Sequence, residues 1–140
     1  MKTKGINDNL EFFTIKELCD SETAKEEGIN NTPSYEVIYN LRMLVIFVLD
    51  PLRRKYGKPI HVSSGYRSPQ LNKAVRGVKN SQHLKGQAAD ITTYSRSGNK
   101  RLFDLIRESG CFDQLIDEKN LSWVHVSFNV NGNRKEVLYL

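Results

Sequence analysis

Apolar residues recur at three- and four-residue steps from Val37 through Ile38, Leu41, Leu44, Val45, Val48 and Leu49 to Leu52. That spacing predicts a long helix over 34–56 with one face in a core. Thr32-Pro33 reads as the N-cap and first-turn pair that opens it, and Pro51, inside the stretch, is expected to kink the helix or end its first segment near Asp50. Two shorter helices precede it: Thr14-Ile15-Lys16-Glu17 is a capping-box pattern, and the run 21–27 is closed by Gly28. Beyond residue 60 the period changes. Strands are predicted over 60–64, 88–92, 113–117, 123–128 and 135–139, with helices from Ser68-Pro69 to Arg76 and over 99–109. In the latter helix Leu102, Phe103, Leu105 and Ile106 form the buried stripe. Asn131-Gly132-Asn133 reads as a hairpin turn joining the last two strands. Helices first and strands late indicate an α+β fold, with N-terminal helices packed on a small, mainly antiparallel sheet.

Composition narrows the class without choosing a function. A chain of 140 residues, 39% hydrophobic and 26% charged, suits a single soluble domain that buries its core without staples. The longest apolar run, Met43 to Leu49, falls far short of the roughly 18 residues of a spanning helix, so no stable membrane association is expected. No secretory signal follows Met1, and synthesis in the cytoplasm is the expectation. Cys19 and Cys111 lack CxxC spacing and read as reduced, partly buried thiols. The net charge of +5 favours anionic partners, nucleic acid and cell-wall polymer alike. The basic residues are scattered, with Arg53-Arg54-Lys55 the only triple and no aromatic interleaving, so no nucleic-acid motif is present. A monomer is expected.

The chemistry lies in two strings. Two of the three histidines fall in Ser81-Gln82-His83-Leu84-Lys85-Gly86-Gln87-Ala88-Ala89-Asp90 and in Trp123-Val124-His125-Val126-Ser127. Two imidazoles and one carboxylate are the ligand set of a catalytic zinc that leaves its fourth position to water. Gly86 lets the chain bend between His83 and Asp90, and Ala88-Ala89 keep bulk away from a metal. Strand alternation puts Trp123, His125 and Ser127 on one face, so adjacent strands could bring Asp90 and His125 to one ion. Taken singly, a strand histidine is a hydrogen-bonded structural residue and an aspartate after a strand is a cap; His61 is read as structural.

Ahead of the first string lie Ser63-Ser64-Gly65-Tyr66-Arg67-Ser68 and Leu71-Asn72, and between the two lies Phe112-Asp113-Gln114-Leu115-Ile116. In this order the motifs closely resemble the M15 family of zinc peptidases, which includes D-alanyl-D-alanine carboxypeptidases and the L-alanyl-D-glutamate endopeptidases of phage endolysins. The short phage and bacterial subgroup is the nearest look. The resemblance covers about residues 34 to 140 of a single domain, leaving 1–33 as an N-terminal helical segment, and implies a hedgehog/D-Ala-D-Ala peptidase-like zinc fold. It makes His83, Asp90 and His125 the ligands of Zn2+, Arg67 the holder of a substrate carboxylate or carbonyl, and Ser81 a hydrogen-bonding partner of substrate.

Two positions depart from the family pattern. Many members carry an acid three residues before the last histidine, where this chain has Ser122. Other zinc proteins of the fold place a glutamate earlier. Glu118 is the closest match for a general base and Asp117 the next; alternation sends them to opposite faces, so at most one reaches the site. Trp123 stands where some relatives have histidine; it can donate one hydrogen bond or form an aromatic wall of a substrate cleft.

The implied activity is hydrolysis of a peptide bond in peptidoglycan stem peptides, with Glu118 moving the proton and Arg67 stabilising the oxyanion. The absent signal suits holin-type release to the cell wall and a phage or prophage origin. The competing readings are a catalytically weak or inactive zinc-containing module that binds cell-wall peptides, and a basic nucleic-acid or phage structural protein.

Overall fold

The computed structural model describes residues 5–140. Helix α1, Ile15–Cys19, is capped by the Thr14 hydroxyl, which accepts from the Glu17 amide; α2, Glu22–Glu27, is capped by Ser21 and closed by Gly28 in the left-handed region. Helix α3 spans Tyr35–Leu44. Its cap is Ser34, accepting from the Val37 amide, rather than Thr32. Pro33 therefore lies outside the helix, on a segment that Asn31 ties elsewhere.

Pro51 does not break the long helix. The chain widens into a π turn over Val45–Leu49, in which the Asp50 amide reaches back to the Val45 carbonyl, and α4 continues over Asp50–Tyr56. A proline ring has no N–H for the α ladder and crowds the preceding turn, and a wider turn relieves both. The apolar stripe survives the change, with Val37, Leu41, Leu44, Val45, Val48, Leu49 and Leu52 all buried. Asp50 is buried too; its carboxylate accepts from the Glu11 and Phe12 amides at 2.8 and 3.0 Å, which pins the segment before α1 to the long helix.

Strand β1, His61–Ser64, leads into α5, Pro69–Ala74, and then into a 3-10 turn at Gln82–Lys85. Strand β2 is Ala88–Thr92, and α6 is Arg96–Ser109, followed by β3, Gln114–Glu118, β4, Trp123–Ser127, and β5, Glu136–Tyr139. Helix α6 starts three residues before its apolar stripe predicts. Ser95 caps it, accepting from Gly98 N, and its polar first turn contributes little to the core.

The sheet order is β1-β2-β4-β3-β5, with three antiparallel pairings and a parallel one between β3 and β5. This confirms the α+β class and overturns the expected hairpin. Both edges of β4 are occupied, by β2 and β3, so the chain after Asn131-Gly132-Asn133 passes on to the free outer edge of β3. Ala89, Ile91, Val124, Val126 and Leu115 face the core built with α3, α4 and α6. The alternate residues, Asp90, His125, Ile116, Glu118 and Trp123, project from the opposite face. Cys19 and Cys111 are free thiols, half-buried as expected.

Candidate metal centre

Three elements converge on one point. Asp90 on β2 lies directly opposite His125 on β4 in the register, and opposite Ser64 on β1 on its other side. An irregularity between Val62 and Ser64 shifts the β1 register by a residue, the kind of local distortion that re-aims side chains at functional sites. His83 comes from the 3-10 turn, which Ser81 caps by accepting from the His83 amide at 3.1 Å. One Asp90 oxygen, Oδ1, lies 3.4 Å from His83 Nε2 and 3.0 Å from His125 Nδ1. The ligand atoms of all three residues lie within 4.8 Å of one another.

The protonation of His83 decides what this arrangement can hold. Its Nδ1 is 2.6 Å from the Gly65 carbonyl, which can only accept, so Nδ1 carries a proton. In a neutral ring Nε2 is then an unprotonated acceptor, and it faces the carboxylate oxygen of Asp90. Two acceptors at 3.4 Å repel unless a cation stands between them. The same bond to Gly65 orients the ring and fixes the tautomer, as metal-bound histidines require. Tetrahedral ligands about 2.0–2.1 Å from a zinc ion would be roughly 3.3–3.4 Å apart, close to the spacings around Asp90 Oδ1. Burial alone would raise the Asp90 pKa, but the adjoining imidazoles of His125 and His83 outweigh it and hold the carboxyl far below the usual carboxylate range. A carboxylate and two imidazoles therefore converge on one point.

A family model described as Peptidase M15 matches residues 11–127. This chain belongs to the M15 peptidase family. The match takes in α1 and α2 and ends at the last residue of β4. No curated relative matches the chain.

Around the M15 triad, Arg67 is nearly buried and each arm of its guanidinium is held. Nε donates to Ser64 Oγ at 3.0 Å, Nη1 to Asn72 Oδ1 at 3.1 Å and Nη2 to Asp90 Oδ2 at 3.4 Å. Asn72 owes its approach to Gly77, where a Cβ would overlap the Asn72 oxygen. Glu118 and Asp117 separate as alternation requires. Glu118 pairs with Trp123, two residues from His125 on the same face, whereas Asp117 pairs with the core residue Val124 and accepts from the Leu121 amide at 2.7 Å. Ser122 points its hydroxyl at the Lys119 carbonyl. Trp123 is half-buried, and its indole N–H is a buried donor without a partner among the described residues. His61 lies off the triad, stacked on Tyr94 with ring centroids 5.3 Å apart.

The roles of several residues around this M15 centre are not readable from the sequence. Asn72 and Asp113 sit in the motifs that suggest the family, yet their partners are visible only in three dimensions. Asp113 accepts from Gln82 Nε2 at 3.0 Å, which ties β3 to the turn that carries His83, and it also takes the Arg134 guanidinium. Asn31 lies in no motif at all.

Proposed function

We propose that this M15 chain is a zinc metallopeptidase that hydrolyses peptide bonds in peptidoglycan stem peptides, as a murein carboxypeptidase or endopeptidase. The observation that carries the reading is the lone-pair side of His83 Nε2 turned toward Asp90 Oδ1, with His125 Nδ1 on the same oxygen. His83, Asp90 and His125 would hold the ion. Zinc in such a site supplies a Lewis acid that polarises a carbonyl and brings the pKa of water down toward ~7.

The side chains divide the remaining work. Glu118, on the metal face, with no hydrogen bond to its carboxylate among the described residues, takes the proton of the attacking water and passes it to the leaving amine. Asp117 is the less suitable base, because its carboxylate is spent on the Leu121 amide. Arg67 faces the developing oxyanion or a substrate carboxylate with a fork pre-set by Ser64 and Asn72. Ser81 has its oxygen occupied by the His83 amide, which leaves its O–H proton to offer substrate. Trp123 forms a wall of a groove of about 590 Å³ that also takes in Ser63, Thr92, Tyr94, Arg96 and Asn120. On the other side of Ser63 a second hollow reaches Ser64 and Arg67. An extended stem peptide lying from one to the other would pass beside the triad.

The deciding experiment is mass spectrometry of defined muropeptides incubated with zinc-loaded protein and with a chelated control. New fragments in the first sample alone, each matching one cleaved stem bond, are the expected result, and intact muropeptides in both would remove the peptidase reading. The absence of an acid at Ser122 favours one rival, a zinc-containing module that binds wall peptides without cutting them. Such a module would retain labelled muropeptide on a column and release it unchanged.

A further inference from the structure

The backbone of the loop at 65–68 touches the metal centre twice. Gly65 accepts from His83 Nδ1 at 2.6 Å, and the Arg67 amide donates to the His83 carbonyl at 3.0 Å. Every other backbone polar group from the Tyr66 amide to the Ser68 amide, apart from the Arg67 carbonyl, is held by the N-terminal segment. The Tyr66 amide donates to the Leu18 carbonyl at 2.7 Å. Asn31 does the rest: its Nδ2 donates to the Tyr66 carbonyl at 3.0 Å and to the Cys19 carbonyl at 2.9 Å, and its Oδ1 accepts from the Ser68 amide at 2.7 Å. The orientation of the carboxamide is settled by its partners, two that only accept and one that only donates. The fit against α1 is tight, because a Cβ at Gly65 would overlap the Leu18 carbonyl.

We infer that Asn31 is a positioning residue of the metal centre, one that touches no ligand but fixes the Gly65 carbonyl and so sets the affinity for the ion; this rests on the metal reading above. The ring of His83 is aimed by a single carbonyl, and that carbonyl belongs to a loop fastened on its near side by the Leu18 carbonyl and beyond it by the Asn31 side chain. Without Asn31 the Tyr66 carbonyl and the Ser68 amide lose their partners together. The loop then relaxes, the bond to Nδ1 lengthens, and the ring is less firmly aimed. Residues before α3 thereby become part of the site, although none of them faces the ion.

The test uses the whole chain and does not depend on turnover. Zinc dissociation constants are measured by competition with a chromophoric chelator for the parent, Asn31→Ala, Asn31→Asp and His83→Ala. The visible spectrum of bound Co2+ reports ligand geometry in each. Asn31→Ala is expected to weaken zinc by about 10- to 100-fold, the usual cost of losing support behind a ligand, and to shift the Co2+ bands. Asn31→Asp keeps the acceptor for Ser68 but loses both donors; it should weaken zinc as well, and it carries the test if the alanine variant does not fold. Ser34→Ala, which removes the α3 cap away from the loop, controls for general loosening and should lower Tm with zinc affinity intact. Parent-like zinc affinity and Co2+ bands in both Asn31 variants would overturn the inference and leave the metal reading standing. So would a Ser34→Ala variant that loses as much affinity as Asn31→Ala. A parent whose zinc binding is unaffected by His83→Ala would overturn the metal reading and this inference together.

Discussion

Glu118 and Asp117 are adjacent in the chain and differ in everything that matters to chemistry. One shares a sheet face with His125; the other is turned toward the core side and bonded to a backbone amide. Glu118→Gln is therefore expected to cut turnover by roughly 10²- to 10⁴-fold, the range of a lost general base, with zinc content and Tm unchanged. Steady-state rates on a muropeptide together with elemental analysis check this, and full activity in the glutamine variant would return the base role to another group. Alternation along the sequence dictates that only one of the two can serve, but not which, since that depends on the partner each meets on β4. The triad was legible as residue types in strings and through the family likeness. The atoms that would face an ion were not, because the choice between Nδ1 and Nε2 follows from the Gly65 carbonyl, eighteen residues away from His83.

Among the elements, Asp113 ties together pieces that the triad leaves apart. It lies just before β3, its side chain nearly fully buried, and joins the turn at Gln82 to Arg134 ahead of β5. Burial would raise its pKa, but hydrogen bonds from Arg134 and Gln82 prevail and lower it. A carboxyl lowered on folding stabilises fully above its unfolded value, near 3.9, and the benefit disappears as the pH falls through the folded value. Asp113→Asn is thus expected to cost roughly 1–3 kcal/mol near neutral pH, as for a buried charge-assisted network, with the gap from the parent closing below about pH 4. Urea unfolding of both proteins across that range measures it; a gap that stays constant into acid would show that the charge of Asp113 contributes nothing. Helices at this scale were readable because their signals are local: Thr14, Ser21 and Ser68 cap where they should. The pairing of β5 was not, since a turn sequence such as Asn131-Gly132-Asn133 encodes a reversal of the chain but not which strand edge is still open. The π turn was hidden for a similar reason, as Pro51 announces only that the regular ladder must yield.

For the molecule as a whole, an ion bound to the folded chain alone adds RT ln(1 + [L]/Kd) to stability, about 2.7 kcal/mol at a hundredfold excess over Kd. Chelation is expected to lower Tm by several degrees, on the order of 5–10 °C for a chain of this size, and His83→Ala should abolish the difference. Identical melting curves with and without chelator would argue against a structural contribution from the ion. The net charge of +5 acts at the same scale, and would favour an anionic surface such as the proposed wall substrate more strongly at low salt than at high.

The seam between β2 and β4 has one more consequence. Strands β1 and β2 come from residues before 93, and β3, β4 and β5 from residues after 113, so Asp90 and His125 belong to two ribbons of the sheet that pair only along this line. An ion shared by the two would act as a rivet across the join. Amide exchange along β2 and β4 should slow on loading far more than in β5, which lies on the outer side of one ribbon and gains nothing directly from the fastening.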